Sequence, residues 1–230
     1  SQLFGTGSGP GTRAREVRLL PAGAEFTING VPFQLQVPGA YNVLNATAAV
    51  AAATVAGVPL AAMVAPLAAF TGVARRFQSV GTAAGVEVID DFAHNPDKIA
   101  AAMAAARTRT NGRILGVFQP HGFGPTRFLR DALIRTFGEC LRPEDVLWMP
   151  EIFFAGGTVT RDISSEDLIA AIATRGRDAR YIANRAELPA CIAAEARSGD
   201  LVLVMGARDP SLTAFCQAII RELDKTRDQA

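Results

Sequence analysis

The stretch Val86-Glu-Val-Ile-Asp90-Asp91-Phe92-Ala93-His94-Asn95-Pro96 decides how this chain is read. It passes from a β-branched apolar run into two carboxylates, then into an Asn-Pro pair that opens an Ala-rich segment. The run predicts a strand over 86–92 and the Asn-Pro pair a helix over 95–107. The alternation then repeats to the C-terminus. Strands at 113–119, 146–152, 180–183 and 201–205 are followed by helices at 126–141, 164–174, 186–197 and 211 to about 224. Strands and helices alternating at this spacing predict an α/β fold, a Rossmann-like, doubly wound, mostly parallel sheet with right-handed crossovers. Such sheets hold ligands outside the carboxyl ends of their strands.

Upstream the texture differs. Alternations at 16–20, 25–28 and 33–37, parted by turn signals at 21–23 and at Asn29-Gly30, predict a small antiparallel meander. Helices follow at 42–57 and 59–70, and residues 71–73 read as a linker. The first eleven residues, rich in Gly and Ser, read as loose chain without the basic start or apolar run of a signal peptide.

Composition excludes several classes of function. Lys and Arg number 23 against 22 Asp and Glu, so no global field draws the chain toward nucleic acid or an anionic membrane. No apolar run reaches membrane-spanning length. Cys140, Cys191 and Cys216 are widely spaced and form no CxxC pair, which argues against disulfides or zinc and for reduced, mostly buried thiols. The expected partners are therefore small molecules or proteins.

The chain holds only two histidines, His94 and His121, and both fall just past the end of an expected strand. Asp91 stands beside the first, and Gln119-Pro-His121-Gly carries the second. The same edge gains Glu151 and the run Met205-Gly206-Ala207-Arg-Asp209-Pro-Ser, where Gly206 would admit a close ligand and the following helix N-terminus would suit an anion. Arg75-Arg76 precedes the first of these strands; taken alone it is a solvated basic pair. Asn42 and Asn45 open the Ala-rich helix on one face, and an N-cap role accounts for Asn42 only.

Taken together these segments resemble the Mur ligase family, and most closely its muramate-alanine branch, over nearly the whole chain. The matching stretches occur in the family's order: Val37-Pro-Gly-Ala-Tyr41-Asn42-Val-Leu-Asn45, Gly72-Val-Ala-Arg-Arg76-Phe-Gln, Asp90-Asp91-Phe-Ala-His94-Asn95-Pro, Phe118-Gln-Pro-His121, and Asp200-Leu-Val-Leu-Val-Met-Gly206-Ala207. The resemblance implies a cytoplasmic, ATP-dependent ligase that forms an amide bond through an acyl phosphate, related to peptidoglycan precursors. Residues 1–72 would be the end of the central ATP-binding domain and 73–230 the Rossmann-like C-terminal domain.

Roles follow from the same likeness. Asn42 and Asn45 would face the adenine, Arg76 the ATP phosphates and Asp91 the ribose hydroxyls. His94, Asn95, His121, Arg127, Gly206 and Ala207 would meet the acyl phosphate and the incoming amine, with Arg76, His94 and His121 as catalytic groups. ATP and Mg²⁺ are the implied cofactors, with no metal ligands expected in this chain. The substrates would be a UDP-sugar or peptide carboxylate and an amino acid or peptide amine. No GxxGK[ST] phosphate loop occurs in the 230 residues, so the chain is expected to be an inactive fragment, able to self-associate through its exposed core.

Two departures from the pattern matter. Tyr41 stands where the adenine motif has His, a change that preserves stacking. After Gln-Pro-His the alanine-adding enzymes carry two further arginines for the amino-acid carboxylate; here Gly122 and Pro125 occupy those places and only Arg127 remains. A carboxylate buried without a cation or several N–H donors is costly, so an acceptor other than alanine is expected; the alternative is that backbone N–H groups at Gly122 and Gly124 bind the anion. A non-catalytic nucleotide-binding or interaction module with the same fold is the competing reading. An NAD-dependent Rossmann enzyme lacks its GxGxxG turn.

Overall fold

The computed structural model describes residues 3–227 and divides into two compact units, one ending at Val73 and the other starting at Ala74. Ser1 and Gln2, part of the expected loose start, lie outside the described residues.

The first unit is a four-stranded sheet covered by two helices. Strands β1 (Phe4–Thr6), β2 (Thr12–Leu20), β3 (Gly23–Ile28) and β4 (Val31–Leu35) lie in that order. The expected meander is β2 to β4, joined at Asn29-Gly30, where both residues have positive φ as a tight hairpin turn requires. The start of the chain is not loose throughout. Phe4–Thr6 pairs in parallel with β2, so the sheet is not purely antiparallel. Helices α1 (Ala40–Val55) and α2 (Leu60–Ala68) pack Val43, Val50 and Met63 onto Phe26, Ile28, Phe33 and Leu35. Helix α1 begins two residues earlier than expected because Gly39, at φ 101°, is its N-cap; Asn42 therefore lies inside the first turn and does not cap it.

The second unit carries a six-stranded sheet. Its members in chain order are β5 (Gln78–Ala83), β6 (Val86–Asp91), α3 (Pro96–Arg109), β7 (Ile114–Gln119), α4 (Phe123–Cys140), β8 (Val146–Pro150), α5 (Ser165–Ala173), β9 (Asp178–Ile182), α6 (Leu188–Glu195), β10 (Leu201–Gly206) and α7 (Leu212–Arg227). The spatial order is β5-β6-β10-β7-β8-β9, parallel except where β5 runs against β6. The α/β, mostly parallel, Rossmann-like class is thus the observed one. Strand β5 escaped the sequence reading because Gly81 sits at a register shift and interrupts its alternation.

The inner parallel strands β7, β8 and β10 bury both faces, which is why they read as continuously apolar, whereas the edge strand β9 is only half-buried. Val86, Val88, Leu115, Val117, Val202 and Val204 share one core with α6 and α7, whereas Ile89, Leu203 and Met205, at the alternate positions, turn away from it. The last strand returns to lie between β6 and β7, so the tips of β6, β10 and β7 are neighbours. Met205 is in register with Asp91, and Gly206 with Gln119.

The cysteines are all free, but only Cys216 is buried; Cys140 is half-buried and Cys191 exposed, which corrects the expectation of mostly buried thiols. No helix among the described residues is long and apolar enough to cross a membrane.

Candidate functional site

Alternation along β6 sends its two terminal carboxylates to opposite faces. Asp90 is fully buried and accepts from Arg75 Nε at 3.2 Å on each oxygen and from Thr213 Oγ1 of α7 at 2.7 Å. Arg75 also donates to the Gly206 carbonyl at 2.8 Å and the Asp209 carbonyl at 3.3 Å. One guanidinium therefore ties the tip of β6 to the tip of β10. Nothing in the sequence separated Arg75 from its neighbour, and this tie was not foreseen.

Asp91 points the other way. Its oxygens accept from the backbone N–H groups of Ala93 at 2.7 Å and Phe77 at 2.6 Å, holding Arg76 and the Phe92–Asn95 loop in place. Burial raises its pKa, an effect opposed by those two N–H groups and by the Arg76 charge.

Phe92 is the floor of the loop. Arg75 and Arg76 each lie over its ring at 5.2 Å, and the His94 ring meets it edge-on at 5.4 Å. Arg76 is exposed, and among the described residues it has no carboxylate partner. His94 Nδ1 is 2.8 Å from the Phe92 carbonyl, which can only accept, so Nδ1 carries the hydrogen and Nε2 is the ring's other, unengaged nitrogen. The Asn95 side chain caps α3 by accepting from Lys98 N at 3.0 Å, so its Oδ1 is engaged within the chain.

His121 leaves the tip of β7 and forms an isolated parallel bridge with Phe153, over whose ring its own is stacked at 5.5 Å. Its Nδ1 is buried with no hydrogen-bond partner. Burial lowers the His121 pKa, helped by Arg208 and His94 and opposed by Asp209. The strand order β6-β10-β7 and the action of both charges on His121 set His94 and Arg208 within electrostatic reach of that ring. Gly122, at φ 75°, is the N-cap of α4, so the stretch expected to be a loop before residue 126 is already the helix's first turn.

Two expected residues turn out otherwise engaged. Arg127 is exposed and bound to the Asp162 carboxylate and, at 2.9 Å, to the Thr160 carbonyl. A Cβ on Gly206 would meet Leu212 at 2.8 Å and the Gln119 carbonyl at 3.2 Å, so internal packing already requires glycine here. Ala207 is buried beside it. Asp209, just ahead of α7, accepts from Ser211 N at 2.9 Å and is paired with Arg185; Arg185 also donates to Gln119 Oε1 at 3.0 Å.

The strand tips of the second unit thus gather Arg76, Asp91, His94, His121 and the Gly206–Asp209 loop. Asn42 and Asn45 belong to the first unit, where Asn42 Nδ2 donates to the Pro38 carbonyl at 2.7 Å and Asn45 is exposed on α1. Among the described residues no cluster of three His, Cys, Asp or Glu is arranged to hold a metal ion.

The description "Mur ligase, glutamate ligase domain" matches residues 75–208, more than half of the chain. The chain belongs to the Mur ligase family. Among its relatives, the UDP-N-acetylmuramate–L-alanine ligase of Caulobacter sp. (strain K31) is 40% identical, with 96% of this chain and 48% of that protein covered. The enzyme of the same name from Sorangium cellulosum is 41% identical over 77% of this chain and 38% of its own length. Among solved structures, UDP-N-acetylmuramate–alanine ligase from Thermotoga maritima superposes with a TM-score of 0.75 at 24% identity, covering 99% of this chain and 48% of that one. MurF ligase from Thermotoga maritima in complex with ADP gives 0.64 at 16% identity, covering 99% and 49%. The chain spans about half the length of the curated Mur ligases it matches.

Proposed function

We propose that this chain is the C-terminal half of an ATP-dependent ligase that joins a carboxylate to an amine through an acyl phosphate, in the making of peptidoglycan precursors. Residues 1–72 are then the end of the central ATP-binding domain and 73–230 the domain that admits the amine. The observation that carries the reading is the convergence of Arg76, His94 and His121 on loops from adjoining strand tips, in a chain of this family. Without a phosphate loop in its 230 residues, the chain alone is inactive.

In this reading the amine nitrogen attacks the acyl carbon, the C–N bond forms, the C–O bond to phosphate breaks and phosphate leaves. The ammonium proton needs a base. His121, kept uncharged near neutral pH by burial and by Arg208, is suited to take it. His94, anchored through Nδ1, keeps Nε2 available for a ligand. Arg76 is a permanent fork-shaped cation without a carboxylate partner, suited to phosphate. Each Asp91 oxygen has a lone pair left for a ribose hydroxyl after its backbone bond. ATP would supply the phosphoryl group and Mg²⁺ would offset its charge, with no ligand cluster for the metal among the described residues. Asn42 and Asn45 are assigned to the adenine.

The acceptor is an amino acid or peptide other than alanine, since Gly122 and Pro125 lack the guanidiniums of the alanine-adding loop. The test is phosphate release by the full-length protein given ATP, UDP-N-acetylmuramate or its peptide-extended forms, and a panel of amines. Release that needs both carboxylate and amine, with alanine a poor acceptor, is the expected result. ATP binding without such release would favour the non-catalytic module, and efficient use of alanine would overturn the acceptor assignment.

A further inference from the structure

The loop after β7 offers the acceptor no free cation. Gly122 and Pro125 carry no charge, Arg127 is bound to Asp162, and Arg130 is paired with Asp131. Yet an amine that is also an amino acid or peptide brings a carboxylate, and a carboxylate drawn out of water requires a partner. The central strand supplies a candidate. Arg208 lies two residues beyond the tip of β10, between the loops that carry His94 and His121.

Two features set Arg208 apart, beside a left-handed φ of +55°, a conformation that Arg75 and Phe77 share. Its side chain is exposed and, among the described residues, makes no ion pair or hydrogen bond. The adjacent carboxylate cannot satisfy it, because Asp209 is buried and bound to Arg185 and Ser211. Burial is the main cause of the depressed His121 pKa, with Arg208 adding to it and Asp209 opposing it, which sets the Arg208 charge near that ring.

Resting on the ligase reading above, we propose that Arg208 holds the carboxylate of the incoming amine, in place of the arginines absent at 122 and 125. A guanidinium presents a planar fork that a carboxylate meets with two parallel hydrogen bonds, giving orientation as well as attraction. Held from β10, the acceptor would extend its amine toward His121 on the neighbouring β7 loop. The competing cation is Arg161, stacked over Phe154 at 4.5 Å and Phe123 at 5.5 Å, also without a carboxylate partner among the described residues.

The test uses the full-length protein, with the twenty amino acids, D-alanine and a set of dipeptides as the acceptor panel. For the best acceptor, kcat/KM is compared between the free acid and its primary amide. The native protein prefers the acid. Arg208→Ala and Arg208→Gly lower kcat/KM for the acid by roughly 10- to 100-fold, mainly through KM, and leave the amide and the KM for ATP unchanged. The glycine variant suits the backbone at this position, so its loss reports the missing charge and not a strained fold. Arg208→Lys restores part of the preference, and Arg161→Ala leaves it intact. An unchanged acid-to-amide ratio in both Arg208 variants, or its loss in Arg161→Ala instead, overturns the proposal while the ligase reading stands. No carboxylate-dependent phosphate release with any acceptor overturns the ligase reading, and this assignment with it.

Discussion

The Arg75 guanidinium lies 3.2 Å from each carboxylate oxygen of Asp90, a side chain with no exposure to solvent. Through its other nitrogens it reaches the carbonyls of Gly206 and Asp209. The pair is therefore a fastening between two strand tips, not a surface ion pair. Removing one partner of a buried pair leaves an uncompensated charge, so Arg75→Ala should destabilise the second unit by about 3–5 kcal/mol. Urea unfolding followed at Trp148, the chain's single tryptophan, measures it; an unchanged midpoint would show that the fastening contributes nothing.

His121 titrates below the ordinary histidine range because burial, Arg208 and His94 disfavour its charged form. In acid the unfolded chain takes up this proton first. Stability should therefore fall as pH drops through the unfolded histidine value, about 6.5, and this loss should end once the folded ring is itself protonated. Arg208→Met should move the folded ring's titration upward, which NMR of selectively labelled histidine reads directly. A ring that titrates at its native position in the variant would contradict the electrostatic account.

Strain at Arg208 has a separate consequence. Arg208→Gly should raise thermodynamic stability by about 1 kcal/mol, whatever it does to activity, because glycine accepts φ of +55° without steric cost. Equal or lower stability in denaturant titrations would indicate that the side chain has a stabilising contact in solution.

Gly206 leaves no room for a side chain. Gly206→Ala should destabilise by about 1–3 kcal/mol, since its Cβ would press on Leu212 and the Gln119 backbone. Thermal unfolding checks this; full stability would mean that the β7 and β10 tips separate more readily than their packing suggests.

Arg76→Ala in the full-length protein should lower turnover by about 100-fold or more if this cation meets phosphate during phosphoryl transfer. Stability should change little, because Arg76 is exposed and rests only on Phe92. Near-native turnover would return Arg76 to the status of a solvated charge.

The inner parallel strands of the second unit could be read in the sequence because they bury both faces, and Ile114–Gln119 and Leu201–Gly206 are accordingly almost uninterrupted apolar runs. Both histidines were identifiable for a related reason: they follow such runs directly. Strand β5 was not, since Gly81 at a register shift disrupts its period. The start of α4 was misplaced because Gly122 and Pro125 look like loop residues, although Gly122 caps and Pro125 fits the first turn.

Sequence alone determined the fold class, the order of its elements, the family and the strand tips on which the two histidines stand, because these depend on local periodicity and on residues adjacent in the chain. Tertiary structure alone decided which charges remain available. Arg75 and Arg76, neighbours in sequence, divide into a buried fastening and an exposed cation, while Arg127 is held by Asp162 and Arg208 has no ion-pair partner among the described residues. The reason is that pairing depends on side chains brought together from residues far apart, Asp90 with Thr213 and Arg185 with Asp209, and only the return of β10 between β6 and β7 creates those encounters.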